Sequence, residues 1–184
     1  MMKQEVEVVG DTRCLLGESP VWLPDTAELL FVDILKGRVH CLEPRRGTVA
    51  TLELGTFVGA AARRAAGGLV VATPAGFELV DWERGRVRTL AAVEADRPDT
   101  RMNDGKCDRA GRFWAGTMSQ QRTPGAGSLY RLDADGSCAF GGADLGDLYI
   151  TTAQHRLDRP GPLDGALFRC RPGVTGLCSP AYAG

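Results

Sequence analysis

Two short segments of the chain combine charged and amide side chains that could bind a polar small molecule. The first holds Glu18 within Gly17-Glu18-Ser19-Pro20, and the second is Arg101-Met102-Asn103-Asp104-Gly105. An arginine and an amide this close in sequence can together hydrogen-bond hydroxyl groups and a carbonyl. Each segment also has a purely structural interpretation. Glu18 is typical of an exposed turn glutamate, and Asn103-Asp104-Gly105 is a strong signal for a tight hairpin turn.

Other kinds of catalytic or metal site find little support in the sequence. None of the five serines lies in a G-x-S-x-G motif, so a Ser-His-Asp triad is not indicated. Gly125-Ala126-Gly127-Ser128 lacks the lysine of a phosphate-binding loop and is typical of a hairpin turn. His40 and His155 lie far apart, and neither has a cysteine at zinc-finger spacing. The six cysteines form no C-x-x-C pair and are expected to be reduced thiols.

The composition is that of a globular domain. Of 184 residues, 43% are hydrophobic and 24% are charged. Lysine plus arginine total 22 and aspartate plus glutamate 23, so the net charge is −1 and nucleic acid is not an expected partner. The first residues lack the apolar core of a signal peptide, and no run of about 18 apolar residues is present to span a membrane. We therefore expect a cytoplasmic protein without a membrane partner.

The elements that must position the candidate residues are short strands. Glycine (24) and proline (10) are frequent and separate short β-prone runs. No long segment holds an apolar period of about 3.6 residues, so we expect no helix longer than about two turns. Residues 58–69 are interpreted as strand, turn, strand. The other expected strands are Val6–Val9, Leu29–Ile34, Arg38–Leu42, Gly68–Thr73, Phe77–Trp82, Arg86–Leu90, Arg112–Thr117, Ser128–Leu132, Asp147–Thr152 and Ala166–Cys170.

These runs form a fourfold repeat. Each unit begins with an aromatic or aliphatic strand that ends in a small residue or threonine, and continues with a strand that leads into a polar turn. Gly111–Thr117 and Ser128–Asp133 show the two halves. Four units in 184 residues average about 46 residues each, a period typical of propeller blades. A blade cannot bury both faces alone, so each must stack on its neighbours. Trp22, Trp82 and Trp114 are expected in the core between blades.

Several motifs, in order along the chain, resemble the SMP-30/gluconolactonase/regucalcin (LRE-like) family. Leu16–Trp22 followed by Leu30–Ile34 resembles the opening of that family. Arg101–Lys106 followed by Asp108–Met118 resembles its central motif, and segments between Cys138 and Phe168 resemble its last blade. The resemblance implies an all-β, six-bladed β-propeller. It also implies that the opening strand, around residues 5–9, pairs with the last blade and closes the ring.

The chain is too short for six such blades, which would need about 276 residues. Asp133–Ser137 resembles the middle of a family member, whereas the segment beginning at Cys138 resembles its end. We therefore expect residues 1–184 to form a single domain that is internally truncated between Gly136 and Cys138. The expected fold is a partial propeller of about four recognisable blades. Whether these blades close into a ring stays open.

The resemblance also implies a chemistry, the hydrolysis of a sugar lactone with a divalent cation (Ca²⁺, Zn²⁺, Mg²⁺ or Mn²⁺). Such a cation polarises the lactone carbonyl and activates water. By this resemblance Glu18 is a metal ligand, and Arg101 and Asn103 bind the substrate. The other implied ligands, an asparagine and an aspartate that also moves protons, belong to the missing blades, since Asn103 is the only asparagine. Gln120 and Gln121 stand where some members carry carboxylates.

Two functions therefore stay open. The first is a lactone hydrolase of the gluconolactonase type, impaired by the loss of metal ligands, with its catalytic residues unknown. The second is a catalytically inactive propeller fragment that at most binds a cation or a partner weakly. If the site survives, Glu18, Arg101 and Asn103 should converge at one place.

Overall fold

The computed structural model describes residues 6–108, 111–133, 140–141, 147–151, 154 and 161–171. This part of the chain is all β, with no helix, as the sequence predicts. It therefore holds no helix long and apolar enough to cross a membrane. Its strands are β1 Glu7–Val8, β2 Gly17–Leu23, β3 Glu28–Asp33, β4 Arg38–Glu43, β5 Thr48–Glu53, β6 Ala60–Arg63, β7 Leu69–Thr73, β8 Gly76–Asp81, β9 Gly85–Ala91, β10 Thr100–Cys107, β11 Phe113–Ser119, β12 Leu129–Leu132, β13 Phe140–Gly141, β14 Asp147–Thr151 and β15 Leu167–Cys170.

The strands form four sheets, and each sheet is one propeller blade. Blade one has the strand order β2-β3-β4-β5, blade two β6-β7-β8-β9, and blade three β10-β11-β12. Every pairing between described strands is antiparallel, as expected for neighbouring strands joined by tight turns. The predicted fold, a partial β-propeller with four recognisable blades, is confirmed.

The last blade brings together strands from distant parts of the sequence. Its order is β1-β15-β14-β13, so the opening strand adds beside β15. The Val9 amide donates to the Leu167 carbonyl at 2.9 Å, and the Cys14 amide donates to the Gly165 carbonyl at 2.8 Å. The predicted pairing of the opening strand with the last blade is therefore confirmed. The predicted truncation between Gly136 and Cys138 lies outside the described residues.

Apolar side chains join the blades face to face, in the order last, one, two, three. Trp22, which is 3% exposed, shares a buried cluster with Leu167 between the last blade and blade one. A cluster of aliphatic side chains joins blades one and two. Phe77 and Phe113 pack edge to face between blades two and three, with ring centroids 5.7 Å apart. The stacking that the repeat predicts is thus present between neighbouring blades.

The other two tryptophans differ from Trp22. Trp82 is partly buried and packs against the cluster between blades one and two. Trp114 is half-buried, and the guanidinium carbons of Arg112 and Arg131 lie 5.9 and 5.8 Å from its ring centroid. At these distances the arginines make cation–π contacts with the indole. Trp114 therefore sits among charged side chains rather than in the apolar core that was predicted for it.

The described cysteine side chains behave as the sequence predicts. Cys14, Cys41 and Cys107 are buried free thiols. Burial, with a smaller contribution from the charge of Asp33, raises the pKa of Cys14 to about 12. A thiol with so high a pKa is almost wholly protonated at neutral pH and is a weak nucleophile.

The sequence prediction missed the strands β2, β5, β10 and β13. The inner strands β2 and β10 both contain turn-forming residues, yet both are extended and interrupted by a β-bulge. The register shifts between Glu18 and Val21 in β2, and between Met102 and Gly105 in β10. A bulge accommodates an extra residue within a paired strand. Turn-forming residues can therefore occupy a bulge inside a strand and need not form a hairpin turn. The hairpin turn predicted at Asn103-Asp104-Gly105 is therefore wrong, whereas the strand, turn and strand predicted for residues 58–69 are confirmed by β6 and β7.

The inner strands approach closely where blades two and three meet. A Cβ atom built on Gly59 would lie 2.6 Å from the carbonyl carbon of Met102, a backbone atom that cannot move aside cheaply. We expect Gly59→Ala to lower the free energy of unfolding by about 2 kcal/mol, as overpacking typically does. Urea unfolding followed by tryptophan fluorescence measures the change.

Gly116→Ala is the matched control for this substitution. Its Cβ would lie 3.9 Å from the Ser128 carbonyl oxygen, an ordinary van der Waals distance, so the methyl group fits. We expect an effect within about 0.5 kcal/mol. Equal effects of the two substitutions would show that the close approach of blades two and three does not constrain the fold.

Candidate functional site

Glu18 lies at the start of β2, where a bulge changes the direction of the strand. Ser19 is buried and has a φ of 52°, a left-handed conformation that residues with a side chain seldom adopt. The Ser19 hydroxyl donates to the Gly105 carbonyl of β10 at 3.2 Å. This hydrogen bond fixes the start of β2 in blade one against β10 in blade three. Glu18 is therefore held close to the residues of the R-M-N-D-G motif.

Arg101 and Asn103 lie beside each other on one face of β10, as alternate residues of a strand do, while Met102 between them is buried. The Nη1 atom of Arg101 donates to the Met102 carbonyl at 2.9 Å and to Oδ1 of Asn103 at 3.0 Å. Because Oδ1 accepts this bond, Nδ2 is the Asn103 atom left to donate to a ligand. The amide of Gly105 donates to Oδ1 of Asp104 at 2.8 Å, which orients that carboxylate.

Four charged side chains influence one another at this place. Burial, and then the charge of Asp104, raise the pKa of Glu18, while Arg101 and Lys106 act in the opposite direction. Burial lowers the pKa of Arg101, and the Glu18 charge opposes that shift. Lys106 also donates through Nζ to the Pro20 carbonyl at 3.3 Å, a second bond between β10 and β2. We name these four residues and Asn103 the inner-strand cluster.

The structure thus brings together all three residues that the sequence singled out. Glu18, Arg101 and Asn103 belong to one cluster, as the prediction of convergence requires. Sequence reasoning did not predict that Asp104 and Lys106 affect the pKa of Glu18. The segment Asn103-Asp104-Gly105-Lys106 resembles an ordinary polar turn. Their proximity to Glu18 depends on contacts between segments 86 residues apart, which no local pattern reports.

A cavity of about 330 Å³ adjoins the cluster along blade three. It begins at Asn103, Asp104 and Lys106 and extends past Trp114 to Leu129. This volume is near the lower end for small-molecule sites. Amide, carboxylate and ammonium groups at one end and an indole along the wall are suited to a compact polar ring. Gln120 and Gln121 follow β11 outside this cavity, and both are exposed.

The described residues do not fit a divalent cation by themselves. Within the part of the chain that the structure describes, no group of three or more His, Cys, Asp or Glu side chains could hold a metal ion. Glu18 has the cations Arg101 and Lys106 nearby, and the Asn103 oxygen already accepts a hydrogen bond from Arg101. A hard divalent cation takes six or more oxygen ligands, several of them anionic for useful affinity. The cluster supplies too few.

The raised pKa of Glu18 predicts a specific pH dependence of stability. The folded protein holds the Glu18 proton more tightly than the unfolded chain, in which glutamates have a pKa of about 4.3. Stability is therefore lost as the pH rises through the Glu18 pKa. In Glu18→Gln this loss should disappear, so the variant should be more stable than the native protein at pH 7. Urea unfolding from pH 4 to pH 8 in the presence of EDTA measures it.

Glu83→Gln, in the exposed turn between β8 and β9, is the control for this comparison. It removes the same charge far from the inner-strand cluster and should leave the pH profile unchanged. A Glu18→Gln profile parallel to that of the native protein would contradict the electrostatic account of the cluster.

The sequence is similar to a known protein family and to several curated proteins. The SMP-30/Gluconolactonase/LRE-like region matches residues 16–138. Regucalcin of Xenopus laevis is 40% identical in an alignment of 142 residues that covers 74% of this chain and 48% of that protein. The 6-deoxy-6-sulfogluconolactonase of Pseudomonas putida is 40% identical over 134 residues, which are 73% of this chain and 46% of that protein. The chain spans about half the length of the curated relatives that it matches.

Solved structures agree with the fold. A calcium-binding protein, regucalcin, from Agrobacterium tumefaciens superposes with a TM-score of 0.84 at 22% identity, over 96% of this chain and 97% of that chain. A luciferin-regenerating enzyme superposes with a TM-score of 0.79 at 18% identity, over 99% and 98%. At these identities the superpositions show the fold alone. The match over residues 16–138 shows that the chain belongs to the SMP-30/gluconolactonase/LRE-like family.

Proposed function

We propose that this chain carries the substrate-binding part of a divalent-metal-dependent sugar-lactone hydrolase of the gluconolactonase type. The observation that carries the proposal is the hydrogen bond between Arg101 and Asn103 in the same cluster as Glu18. One relative is named as a sugar lactonase, which supports a sugar lactone as the substrate class. The proposal assigns substrate binding to Arg101 and Asn103, and a role as metal ligand to Glu18.

The donors of this pair suit a lactone. A sugar lactone offers an ester carbonyl, a ring oxygen and several hydroxyls. Arg101 uses Nη1 for its bonds to Met102 and Asn103, which leaves its other N–H groups for the lactone carbonyl. The Asn103 Nδ2 group can donate to a hydroxyl. Because the Arg101–Asn103 bond holds both groups in place before the ligand arrives, little side-chain entropy is lost on binding.

We further propose that hydrolysis is impaired. A cation in a family site would polarise the lactone carbonyl, but the described residues of this chain do not supply its ligands. The proposed explanation is the internal truncation between Gly136 and Cys138. It is supported by the family match, which ends at residue 138, and by the share of the curated relatives that the matched residues cover, about half.

The alternative function is an inactive propeller fragment that at most binds a cation or a partner weakly. The observation that favours it is the pair of cationic side chains, Arg101 and Lys106, close enough to Glu18 to affect its pKa. These charges repel a divalent cation as well as stabilising the Glu18 carboxylate. Substrate binding separates the two functions, because only the first requires the lactone to bind at Arg101.

Proton release from glucono-1,5-lactone at constant pH, with and without Ca²⁺, Zn²⁺ or Mn²⁺, tests the proposed impairment. We expect metal-stimulated turnover below about a hundredth of that of a full-length family member, because both carbonyl polarisation and proton transfer are weakened. Turnover comparable to that of an intact member would contradict this, and would point to a recruited carboxylate such as Asp147 of β14 or Asp144, which lies outside the described residues.

Binding of the stable analogue glucono-1,5-lactam, followed by calorimetry, tests the substrate role itself. Arg101→Ala should weaken binding about tenfold, since hydrogen bonds to a charged group are lost. Arg88→Ala, which removes an exposed guanidinium from the outermost strand of blade two, is the control and should bind as the native protein does. No binding by the native protein would favour the inactive fragment, and equal binding by both variants would refute the role of Arg101.

A further inference from the structure

Blade three has three strands, whereas each of the other three sheets has four. Its third strand, β12, is the last strand of the sheet within the part of the chain that the structure describes. The next described strand along the chain, β13, pairs with β14 in the last blade and does not continue blade three. One edge of β12 therefore has no neighbouring strand among the described residues.

The third strands of blades one and two lie inside their sheets. β4 and β8 pair with a strand on both sides, and most of their residues are buried. In β12 every residue is exposed or half-buried. Leu129, at 67%, is the most exposed large hydrophobic side chain of the described residues. A strand position that is covered in blades one and two is thus open in blade three, and open strand edges of this kind favour association.

The backbone of β12 directs alternate residues to this open edge. The Thr117 amide of β11 donates to the Ser128 carbonyl, just before β12, at 2.8 Å. Backbone groups alternate in direction along an antiparallel strand, so Tyr130 also directs its amide and carbonyl at β11. Leu129 and Arg131 direct theirs away from the sheet. Two donors and two acceptors are therefore available to a further strand.

The charge of this edge does not oppose pairing. Arg131 is the one charged residue of β12, and its Nε atom lies 2.8 Å from Oδ1 of Asp133, so the two charges compensate each other. The Arg131 guanidinium also lies over the Trp114 ring, on the face of the sheet. β9, the outermost strand of blade two, differs, because it holds Arg86 and Arg88 and its pairing is interrupted by two register shifts. Charges and bulges are devices that prevent edge pairing.

A second copy of this chain carries the same open edge, and β12 is compatible with antiparallel pairing to itself. When Tyr130 lies opposite Tyr130 of the second copy, Leu129 of each copy lies opposite Arg131 of the other. The outward amides and carbonyls of both residues then bond across the twofold axis. This register places no like charges directly opposite, whereas an axis at Arg131 would pair two arginines.

We propose that two copies of this chain associate through β12, which pairs antiparallel with β12 of the second copy about a twofold axis at Tyr130. The two sheets of blade three then form one continuous six-stranded sheet. Strands of only four residues bury much less than the roughly 1,200 Å² of a stable interface, so the dimer is weak and depends on concentration. The proposal rests on the fold and not on lactone binding.

Sedimentation velocity of the full chain, from about 5 µM to about 500 µM, measures the association. We expect half of the chains to be dimeric at about 100 µM. Isotope-filtered NMR of mixed labelled and unlabelled chains tests the register, and should show NOEs between the Leu129 methyl groups and Arg131 of the other copy. The samples contain no lactone or lactam, because Leu129 also lines the cavity beside the inner-strand cluster.

Substitutions at Leu129 separate the backbone of β12 from its side chain. Leu129→Ala keeps the outward amide and Leu129→Pro removes it, so the proline variant should bind its copy about tenfold more weakly than the alanine variant. Leu129→Lys should weaken the native dimer about tenfold, because two ammonium groups then meet near the axis. Val87→Lys, at a position of β9 that is 56% exposed, is the matched control and should dimerise as the native protein does.

A chain that stays monomeric at about 500 µM would overturn the proposal. A dimer that Leu129→Lys leaves unchanged would also overturn it, because another surface would then join the copies. A dimer that is weakened by lysine, but is equally tight in the alanine and proline variants, would overturn strand pairing in favour of contact between sheet faces. If Leu129→Pro fails to fold, the NOEs decide between these two arrangements, and their absence would exclude pairing at β12.

Discussion

The contact between β2 and β10 is the constraint on which the inner-strand cluster depends. The Ser19 hydroxyl bonds to the Gly105 carbonyl, and Lys106 bonds to the Pro20 carbonyl, so blade one is joined directly to blade three. Each bond involves a residue at or beside a bulge. The bulges direct Glu18 from one strand and Asn103 from the other toward the same place. Without the bulges, side chains would alternate strictly between the two faces of each strand. The register of the strand alone would then decide which face Glu18 and Asn103 occupy.

Part of this architecture could be predicted from the sequence, for a physical reason. Middle strands such as β3, β4 and β8 are continuous β-prone runs between turn residues, and the same local pattern recurs in each blade of the repeat. The pairing of β1 with β15 was implied by the family resemblance. The inner strands β2 and β10 escaped prediction because their bulges contain the residues that normally end strands.

The site was predictable only in part, for a different reason. Glu18, Arg101 and Asn103 could be singled out because they stand in recognisable motifs. The electrostatic coupling of Glu18 to Asp104 and Lys106 depends on two segments 86 residues apart in sequence. Glu94 stands in no motif, and its hydrogen bonds with Tyr130, Thr117 and Arg97 exist only in the folded chain. Tertiary contacts of this kind leave no periodic signal in a single sequence.

The central feature of this account is a proposed substrate-binding pair, Arg101 and Asn103, beside too few metal ligands among the described residues. The charges of the cluster explain how substrate binding and metal binding can differ in this chain. Arg101 and Lys106 suit the electron-rich oxygens of a lactone, and without further carboxylates the same cations disfavour a metal ion beside Glu18. Under the proposed function, the donors of blade three remain in place although the described residues do not supply a complete set of metal ligands.

Calorimetric titration of the metal-free protein with Ca²⁺ and Mn²⁺ tests this claim most directly. The account predicts no binding tighter than about millimolar, because one glutamate and an amide oxygen that is already hydrogen-bonded cannot replace six or more oxygen ligands. Micromolar binding that disappears in Glu18→Gln would contradict it, and would mean that the chain completes a metal site around Glu18.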